Sequence, residues 1–137
     1  MAQLDFSTGI LEWCNCGHPA PLLIRGQRLV ADALAREADP PVGLRNLFTA
    51  RGRQVHEARL QPGDRVLLHT DGVTEARMAD GRLLGLERFA DYVIRASATG
   101  ELAPETLRRL IHSLLDSRDS RLRDDATILM FEWRPDG

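Results

Sequence analysis

Two short acidic segments are the strongest candidates for chemistry in this sequence. The first reads Thr-Asp-Gly-Val-Thr-Glu-Ala, and it places Asp71 at the end of a predicted strand, where Gly72 lets the backbone turn sharply. The second opens a later strand with the adjacent carboxylates Asp124 and Asp125. Adjacent carboxylates repel each other unless a cation lies beside them, and hard divalent cations bind oxygen ligands. The two segments could therefore converge on one metal site.

Each acidic segment also has a purely structural interpretation. Asp71 could simply cap a turn, and for an isolated Asp-Gly pair this interpretation is favoured. Asp124 and Asp125 could form a solvated loop beside Arg121 and Arg123. From this segment alone, the loop and the metal site are about equally expected. Neither segment decides the function by itself.

A third candidate is the alternating set Cys14, Cys16 and His18, which could face one way along a strand and bind zinc. Structural zinc sites take four ligands, and the sequence has neither a second cysteine pair nor a well-spaced histidine partner. Two cysteines separated by one residue also cannot form an ordinary unstrained disulfide. Reduced thiols on a strand, in a cytoplasmic protein, are therefore favoured over zinc.

The remaining histidines have simple structural interpretations. His56 alternates along a predicted strand and His112 falls on the polar side of a predicted helix, so both are expected at the surface. His69 is expected to pack beside the Asp71 loop. None of the three indicates a catalytic site by itself.

The composition excludes several classes of chemistry. The sequence has 18 basic and 20 acidic residues and a net charge of −2, with no long block of either sign. This balance argues against a general nucleic-acid surface or a polybasic membrane surface. Every basic residue is arginine, so lysine Schiff-base chemistry and a lysine-dependent P-loop are excluded. The sequence also has no Gly-x-Ser-x-Gly elbow and no credible Ser-His-Asp set.

The length and hydropathy predict one domain without a membrane segment. A chain of 137 residues corresponds to a single domain, which we assign to residues 1–137. Its apolar runs are far shorter than the ~18–20 residues of a membrane helix, and its start lacks the layout of a signal peptide. We therefore expect a cytoplasmic location.

Three strand pairs are predicted in the first half of the chain. They lie around turns at residues 7–9, 26–27 and 61–64, and each turn contains glycine. The flanking strands are residues 4–6 with 11–15, 21–25 with 28–30, and 53–60 with 65–70. Gly26 at the first loop position suits a type II′ turn. Residues 34–51, which lack periodicity, are interpreted as a surface connection.

The second half of the chain is predicted to contain two helices and a closing strand. The first helix has an apolar face formed by Leu86, Phe89, Ala90, Val93 and Ile94, and Gly100 could end it. The second opens at Pro104, and its apolar face is Leu107, Leu110, Ile111, Leu114 and Leu115. Residues 127–133 are apolar on both faces, as expected for an interior strand. Hairpins followed by helices predict an α+β fold with mainly antiparallel sheets.

In combination, five motifs resemble one family of enzymes over almost the whole chain. In order they are Asn-Cys-Gly-His-Pro at 15–19, Pro-Val-Gly-Leu at 41–44, Leu-Gln-Pro-Gly-Asp through Thr-Asp-Gly-Val-Thr-Glu-Ala at 60–76, Gly-Leu-Glu-Arg-Phe at 85–89, and Asp-Asp-Ala-Thr at 124–127. The sequence resembles the C-terminal part of the SpoIIE/RsbU-like branch of the PPM (PP2C-type) serine/threonine phosphatases. The resemblance implies an α-β-β-α sandwich that is incomplete at the N-terminus.

The resemblance also implies a reaction and its metal ligands. Such phosphatases use two Mn²⁺ or Mg²⁺ ions and a metal-bound water to hydrolyse phosphoserine or phosphothreonine. By matching position, Asp71 and Asp124 are the implied metal ligands. Paired cations make hydroxide available near neutral pH, so no protein nucleophile is needed.

The family's upstream motifs are absent from this chain, and this leaves two functions open. In the family, an upstream Gly-Asp-Val-x-Gly-His-Gly motif supplies the aspartate that bridges the metals. The chain could be part of a phosphatase that acts on phosphorylated STAS-type anti-anti-sigma regulators. Alternatively, it could be a non-catalytic pseudophosphatase module in a partner-switching system.

We expect the chain alone to bind Mn²⁺ or Mg²⁺ weakly, with little or no phosphatase activity, because two carboxylates form an incomplete shell. We also expect it to self-associate through an exposed sheet edge. The predicted exposed set at the start of the chain is Leu4, Phe6, Leu11 and Trp13.

Overall fold

The computed structural model describes residues 1–41, 43, 52–78, 80–98, 105, 108, 109, 112 and 126–135. Within these residues the strands are β1 (Ala2–Leu4), β2 (Ile10–Trp13), β3 (Leu22–Arg25), β4 (Arg28–Val30), β5 (His56–Arg59), β6 (Arg65–His69) and β7 (Ile128–Glu132). The helices are α1 (Asp71–Thr74) and α2 (Gly85–Ala98). This succession of strands and helices confirms the predicted α+β class.

The strands form two antiparallel sheets. The first sheet has the order β1-β2-β5 and the second has the order β4-β3-β6-β7. The first two predicted hairpins are confirmed, since β1 pairs with β2 and β3 pairs with β4. Arg25 lies opposite Arg28, which leaves Gly26 and Gln27 as a two-residue loop. Gly26 has φ 58° and the φ of Gln27 is not positive, as the predicted type II′ turn requires.

The third predicted pair is wrong, because β5 and β6 belong to different sheets. The turn between them does form: the Asp64 N–H donates to the Gln61 carbonyl at 2.9 Å, and Gly63 has φ 85°. However, β5 pairs with β2, whereas β6 lies between β3 and β7. A turn sequence fixes only a reversal of the chain. Here it carries the chain from one sheet to the other.

Strand β7 lies at an edge of the second sheet in the part of the chain that is described. It pairs there with β6 alone, and its central Leu129 is 60% exposed. The prediction of an interior strand is therefore wrong for these residues. A continuous apolar run indicates that side chains can be buried, but it does not fix the order of the strands.

The described residues form three packed layers, α-β-β. One apolar cluster joins the second sheet to the helices, through Leu22, Ile24, Leu67, Met130, Val73, Phe89, Ala90 and Val93 among others. The opposite face of that sheet packs on the first sheet, through Leu11, Trp13, Leu23, Val66, Leu34, Leu60 and Trp133. The second sheet is thus covered on both faces, which explains the continuous apolar character of β3 and β6.

The predicted exposed set at the start of the chain is only partly right. Phe6 is exposed and Leu4 is partly exposed, but Leu11 and Trp13 are buried. These two side chains lie on β2, the central strand of the first sheet, and point toward the second sheet. Their burial removes them from the predicted exposed set. Self-association itself stays a prediction.

Helix α2 confirms the first predicted helix, with Phe89, Ala90 and Val93 buried. Its predicted apolar face is only partly right, because Leu86 is 43% exposed and Ile94 is only partly buried. The second helix is seen only at Glu105, Arg108, Arg109 and His112, which are helical and exposed, so His112 is at the surface as predicted. Two features of the second predicted helix, its start at Pro104 and its apolar face, lie outside the described residues. The predicted end of the first helix at Gly100 also lies outside them.

The connection after β4 differs in part from the prediction of a surface segment. Residues 34–41 and 43 contain neither a helix nor a strand, but Leu34 is buried in the cluster between the sheets. The predicted connection also covers residues 42 and 44–51, which lie outside the described residues. The connection therefore contributes to the core at its start.

Replacing Gly9 by alanine should destabilise the protein by about 3 kcal/mol, the sum of backbone strain and a steric clash. Gly9 has φ 72°, and a Cβ there would lie 2.6 Å from the ring of Trp133. Gly26→Ala is the matched control, because Gly26 has φ 58° but no atom within 4 Å of an added Cβ. It should cost only about 1–2 kcal/mol. Urea unfolding measures both, and equal losses would contradict the clash.

Candidate metal-binding site at the rim of the second sheet

Asp71 is presented where the central strand β6 ends. Thr70 is extended, with φ −97° and ψ 162°, and Asp71 is the first residue of the short helix α1. The Asp71 side chain is exposed. Its backbone carbonyl accepts hydrogen bonds from the Glu75 N–H at 2.9 Å and the Thr74 hydroxyl at 3.2 Å. Its carboxylate, by contrast, has no hydrogen bond or ion pair with any described residue, so it does not cap the turn.

Thr127, the last residue of the second acidic motif, lies at the same rim. The Thr70 N–H donates to the Thr127 carbonyl at 3.1 Å, and the Thr127 N–H donates to Thr70 Oγ1 at 2.9 Å. Asp124 and Asp125 lie outside the described residues. Three residues of chain span at most about 11 Å, so Asp124 starts no farther than that from Thr127. The proximity of Asp71 and Asp124 stays a prediction. The two hydrogen bonds between Thr70 and Thr127, called the Thr70–Thr127 clamp below, support it.

His69 is buried beneath the Asp71 loop, as predicted. It is 6% exposed, and its ring packs edge-on against Phe89 with centroids 5.5 Å apart. Its Nδ1 lies 3.3 Å from the Thr70 carbonyl, which can only accept, so Nδ1 carries the proton. Burial lowers the pKa of His69, although the Thr70 carbonyl and the Asp71 charge oppose this shift. His69 is therefore a neutral packing residue that supports the loop.

The Asn-Cys-Gly-His-Pro motif forms a tight loop held by its own asparagine. The buried Asn15 side chain accepts the His18 N–H at 3.0 Å and donates to the His18 carbonyl at 2.7 Å. Gly17 has φ 83°, and a Cβ there would lie 2.9 Å from Cγ of Pro41. Sequence reasoning missed this role of Asn15, although asparagine side chains commonly hydrogen-bond nearby backbone groups in turns.

The thiols in this loop are free. Cys14 and Cys16 are both partly buried and unpaired by disulfides. No group of three or more histidine, cysteine, aspartate or glutamate side chains that could hold a metal occurs among the described residues. The preference for reduced thiols over a zinc site stays a prediction.

His56 is only partly exposed, whereas its alternation predicted a surface residue. It lies opposite Trp13 in the pairing of β2 with β5, and the two ring centroids are 5.6 Å apart. Its Nε2 is buried and has no hydrogen-bond partner among the described residues. The alternation pattern correctly gave the strand, but the aromatic neighbour that covers the ring comes from a distant segment.

The structural role of Asp64, like that of Asn15, was not predicted from the sequence. Asp64 is buried, and its carboxylate accepts the Arg25 Nε at 2.9 Å and Nη2 at 2.7 Å, together with the Gln61 N–H at 2.7 Å. The hydrogen bonds that Arg25 donates to the Asp64 carboxylate raise the pKa of Arg25. Asp64 therefore holds the turn at residues 61–64, which connects β5 in the first sheet to β6 in the second and is called the crossing turn below. Because the Asp64 carboxylate is buried in these contacts, it is not available as a metal ligand.

The described residues fit a divalent cation in part. Asp71 supplies a hard oxygen ligand that is exposed and unpaired within the described residues, which is the donor type that Mg²⁺ and Mn²⁺ prefer. One carboxylate does not complete a coordination shell. The remaining ligands of such a site would have to come from outside the described residues.

Neither described helix combines the length and apolar character that crossing a lipid bilayer requires. The longer one, α2, has 14 residues.

Comparison with known proteins identifies related sequences. A family model described as Stage II sporulation protein E (SpoIIE) matches residues 1–134. Protein IcfG of Synechocystis sp. is 26% identical over 129 residues, which cover 92% of this chain and 19% of that protein. The chain thus spans less than a fifth of the length of this curated relative.

Solved structures show the same fold. The RsbU and RsbW domains of Rv1364c from Mycobacterium tuberculosis match with a TM-score of 0.72 and 28% identity, covering 99% of this chain and 37% of that chain. The SiaA-PP2C domain of Pseudomonas aeruginosa matches with a TM-score of 0.63 and 22% identity, covering 93% and 47%. The PP2C phosphatase domain of SpoIIE from Bacillus subtilis matches with a TM-score of 0.66 and 17% identity, covering 99% and 37%.

Proposed function

Because this chain belongs to the SpoIIE family over residues 1–134, we propose that it is part of a metal-dependent protein serine/threonine phosphatase domain. Residues 1–137 would form the C-terminal portion of that domain. The fold agrees with those of PP2C-type phosphatase domains. The proposed reaction is hydrolysis of phosphoserine or phosphothreonine, and the proposed location is the cytoplasm.

The observation that carries this proposal is the Asp71 carboxylate, which is exposed and has no partner among the described residues, beside the Thr70–Thr127 clamp. We propose Asp71 and Asp124 as ligands of Mn²⁺ or Mg²⁺. Bound divalent cations would supply an activated water and would stabilise charge on the phosphoryl oxygens. The residues of this chain would orient that site: the clamp fixes the end of β6 to the start of β7, and the neutral His69 ring supports the loop from below.

The proposed substrate is a phosphorylated STAS-type regulator of a partner-switching system, in the control of a sigma factor. Support comes from the similarity to a chain that combines RsbU and RsbW domains. The alternative is a non-catalytic module that docks the same kind of regulator. The two differ in whether the Asp71 rim binds metal.

A titration of the 137-residue chain with Mn²⁺ tests the proposed site. Mn²⁺ is paramagnetic, so the amide NMR signals of residues 70–72 and 126–127 should broaden first. Asp71→Asn should weaken this binding by at least about tenfold, since even residues that only orient a metal ligand typically contribute that much. Binding rather than turnover is measured because little or no hydrolysis is expected from this chain alone.

Asp80→Asn is the matched control for this titration. Asp80 is also an exposed carboxylate, and it lies 3.6 Å from Arg88. It should leave the broadening unchanged. Broadening that centres elsewhere, or that survives Asp71→Asn, would contradict the metal site and would favour the non-catalytic module.

A further inference from the structure

A groove lies beside the Asp71 rim, between the β3–β4 hairpin and the helices. It has a volume of about 570 Å³. Pro21, Leu29 and Val30 line the hairpin side, and Leu86 lines the helix side. Leu86 is 43% exposed although it is a large apolar residue at the start of α2. Its volume and its mainly apolar lining are typical of ligand-binding pockets in proteins.

The groove is continuous with the candidate metal site. Thr74 lines the groove, and its hydroxyl donates to the Asp71 carbonyl at 3.2 Å. His69 also lines it, and this buried side chain has an Nε2 without a hydrogen-bond partner among the described residues. A polypeptide bound at the Asp71 rim could therefore continue into the groove without leaving the protein surface.

The charged side chains that line the groove are acidic among the residues that the structure describes. They are Asp32 and Glu87, and no arginine lines the groove among the described residues. Arg88, the residue after Glu87, lies 3.6 Å from the Asp80 carboxylate. The carboxylates of Asp32 and Glu87 form no ion pair within the described part of the chain. Apolar walls with two unpaired carboxylates complement an apolar side chain next to a basic one.

We propose that this groove binds the segment of the phosphoprotein substrate that follows the phosphorylated residue, and that it favours a leucine-like side chain together with an arginine or lysine. The inference rests on the proposed function, because the phosphorylated residue is placed at the Asp71 rim. It adds the sequence preference of the substrate. Asp32 and Glu87 are the specificity-determining residues, and Leu86 contacts the apolar side chain.

Two fluorescent phosphoserine peptides test the preference, using the 137-residue chain and fluorescence anisotropy at low salt. Both carry leucine two positions after the phosphoserine, and they differ only in having arginine or glutamate next to that leucine. The arginine peptide should bind about two- to tenfold more tightly, the range expected for one or two exposed ion pairs. The preference should weaken as salt rises.

Substitutions assign the effect to the groove. Asp32→Asn and Glu87→Gln, singly and together, should reduce the preference for the arginine peptide. Asparagine is the matched replacement at Asp32, because this residue has φ 56° and asparagine tolerates that conformation. Leu86→Ser should weaken both peptides equally while leaving the charge preference intact. Circular dichroism confirms that each variant is folded.

Equal binding of the two peptides, no binding of either, or a preference that survives in the double variant would overturn the groove as a substrate site. Failure of the proposed function gives a different result. If Mn²⁺ does not bind at Asp71 but the charge preference is present and depends on Asp32 and Glu87, the groove is a peptide site and the metal assignment is wrong.

Discussion

Replacing Phe89 by alanine should lower the free energy of unfolding by about 3–5 kcal/mol, the usual cost of removing a fully buried aromatic side chain. Phe89 is 0% exposed and lies in the cluster that joins α2 to the second sheet. Its ring also packs edge-on against His69. The substitution would remove the contact that supports the strand end carrying Asp71, so the rim should loosen as well as the core.

Urea unfolding followed by tryptophan fluorescence measures this loss, with Leu86→Ala as the matched control. Leu86 lies one turn earlier on the same helix but is 43% exposed. Its replacement should lower the free energy of unfolding by less than about 1 kcal/mol, because the exposed Leu86 side chain contributes little buried apolar surface. Similar losses for the two variants would show that α2 does not pack through the Phe89 face.

Replacing Asp64 by alanine should destabilise the protein by about 2–4 kcal/mol, because the change removes a buried charge and three hydrogen bonds. Asp64 is 1% exposed and accepts two hydrogen bonds from Arg25 and one from the Gln61 N–H. The Arg25 side chain is 37% exposed, so water can solvate the guanidinium that is left behind. This solvation keeps the loss below that for a fully buried pair.

The same unfolding experiment tests Asp64, with Asp80→Ala as its control. Asp80 faces Arg88 at 3.6 Å, but both side chains are about half exposed, so the change should cost less than about 1 kcal/mol. A loss at Asp64 as small as that at Asp80 would mean that the crossing turn is held by its glycine and proline alone.

Several parts of the fold could be predicted because they depend on neighbouring residues. The loop at Gly26 requires a positive φ that glycine provides, and the structure has that turn between β3 and β4. The apolar spacing around Phe89 and Val93 repeats with the helical period, and α2 buries that face. Such local signals act within one or two turns of chain, so no tertiary information was needed.

The candidate site was predicted only in outline. The Thr-Asp-Gly motif correctly placed Asp71 at the end of a strand, since a turn signal after an apolar run is local. Asp124 lies outside the described residues, so its place beside Asp71 is still a prediction. The backbone clamp between Thr70 and Thr127 joins positions 57 residues apart, and no sequence pattern indicates such a contact.

The sequence by itself determined the turns, the amphipathic helix and the ordered set of motifs that place the chain in its family. Only the tertiary structure decided that β5 and β6 enter different sheets and that β7 is an edge strand of the described part. It also decided that Leu11 and Trp13 are buried. Strand order and burial arise from packing between segments far apart in the chain, and an alternating or apolar pattern is compatible with several such arrangements.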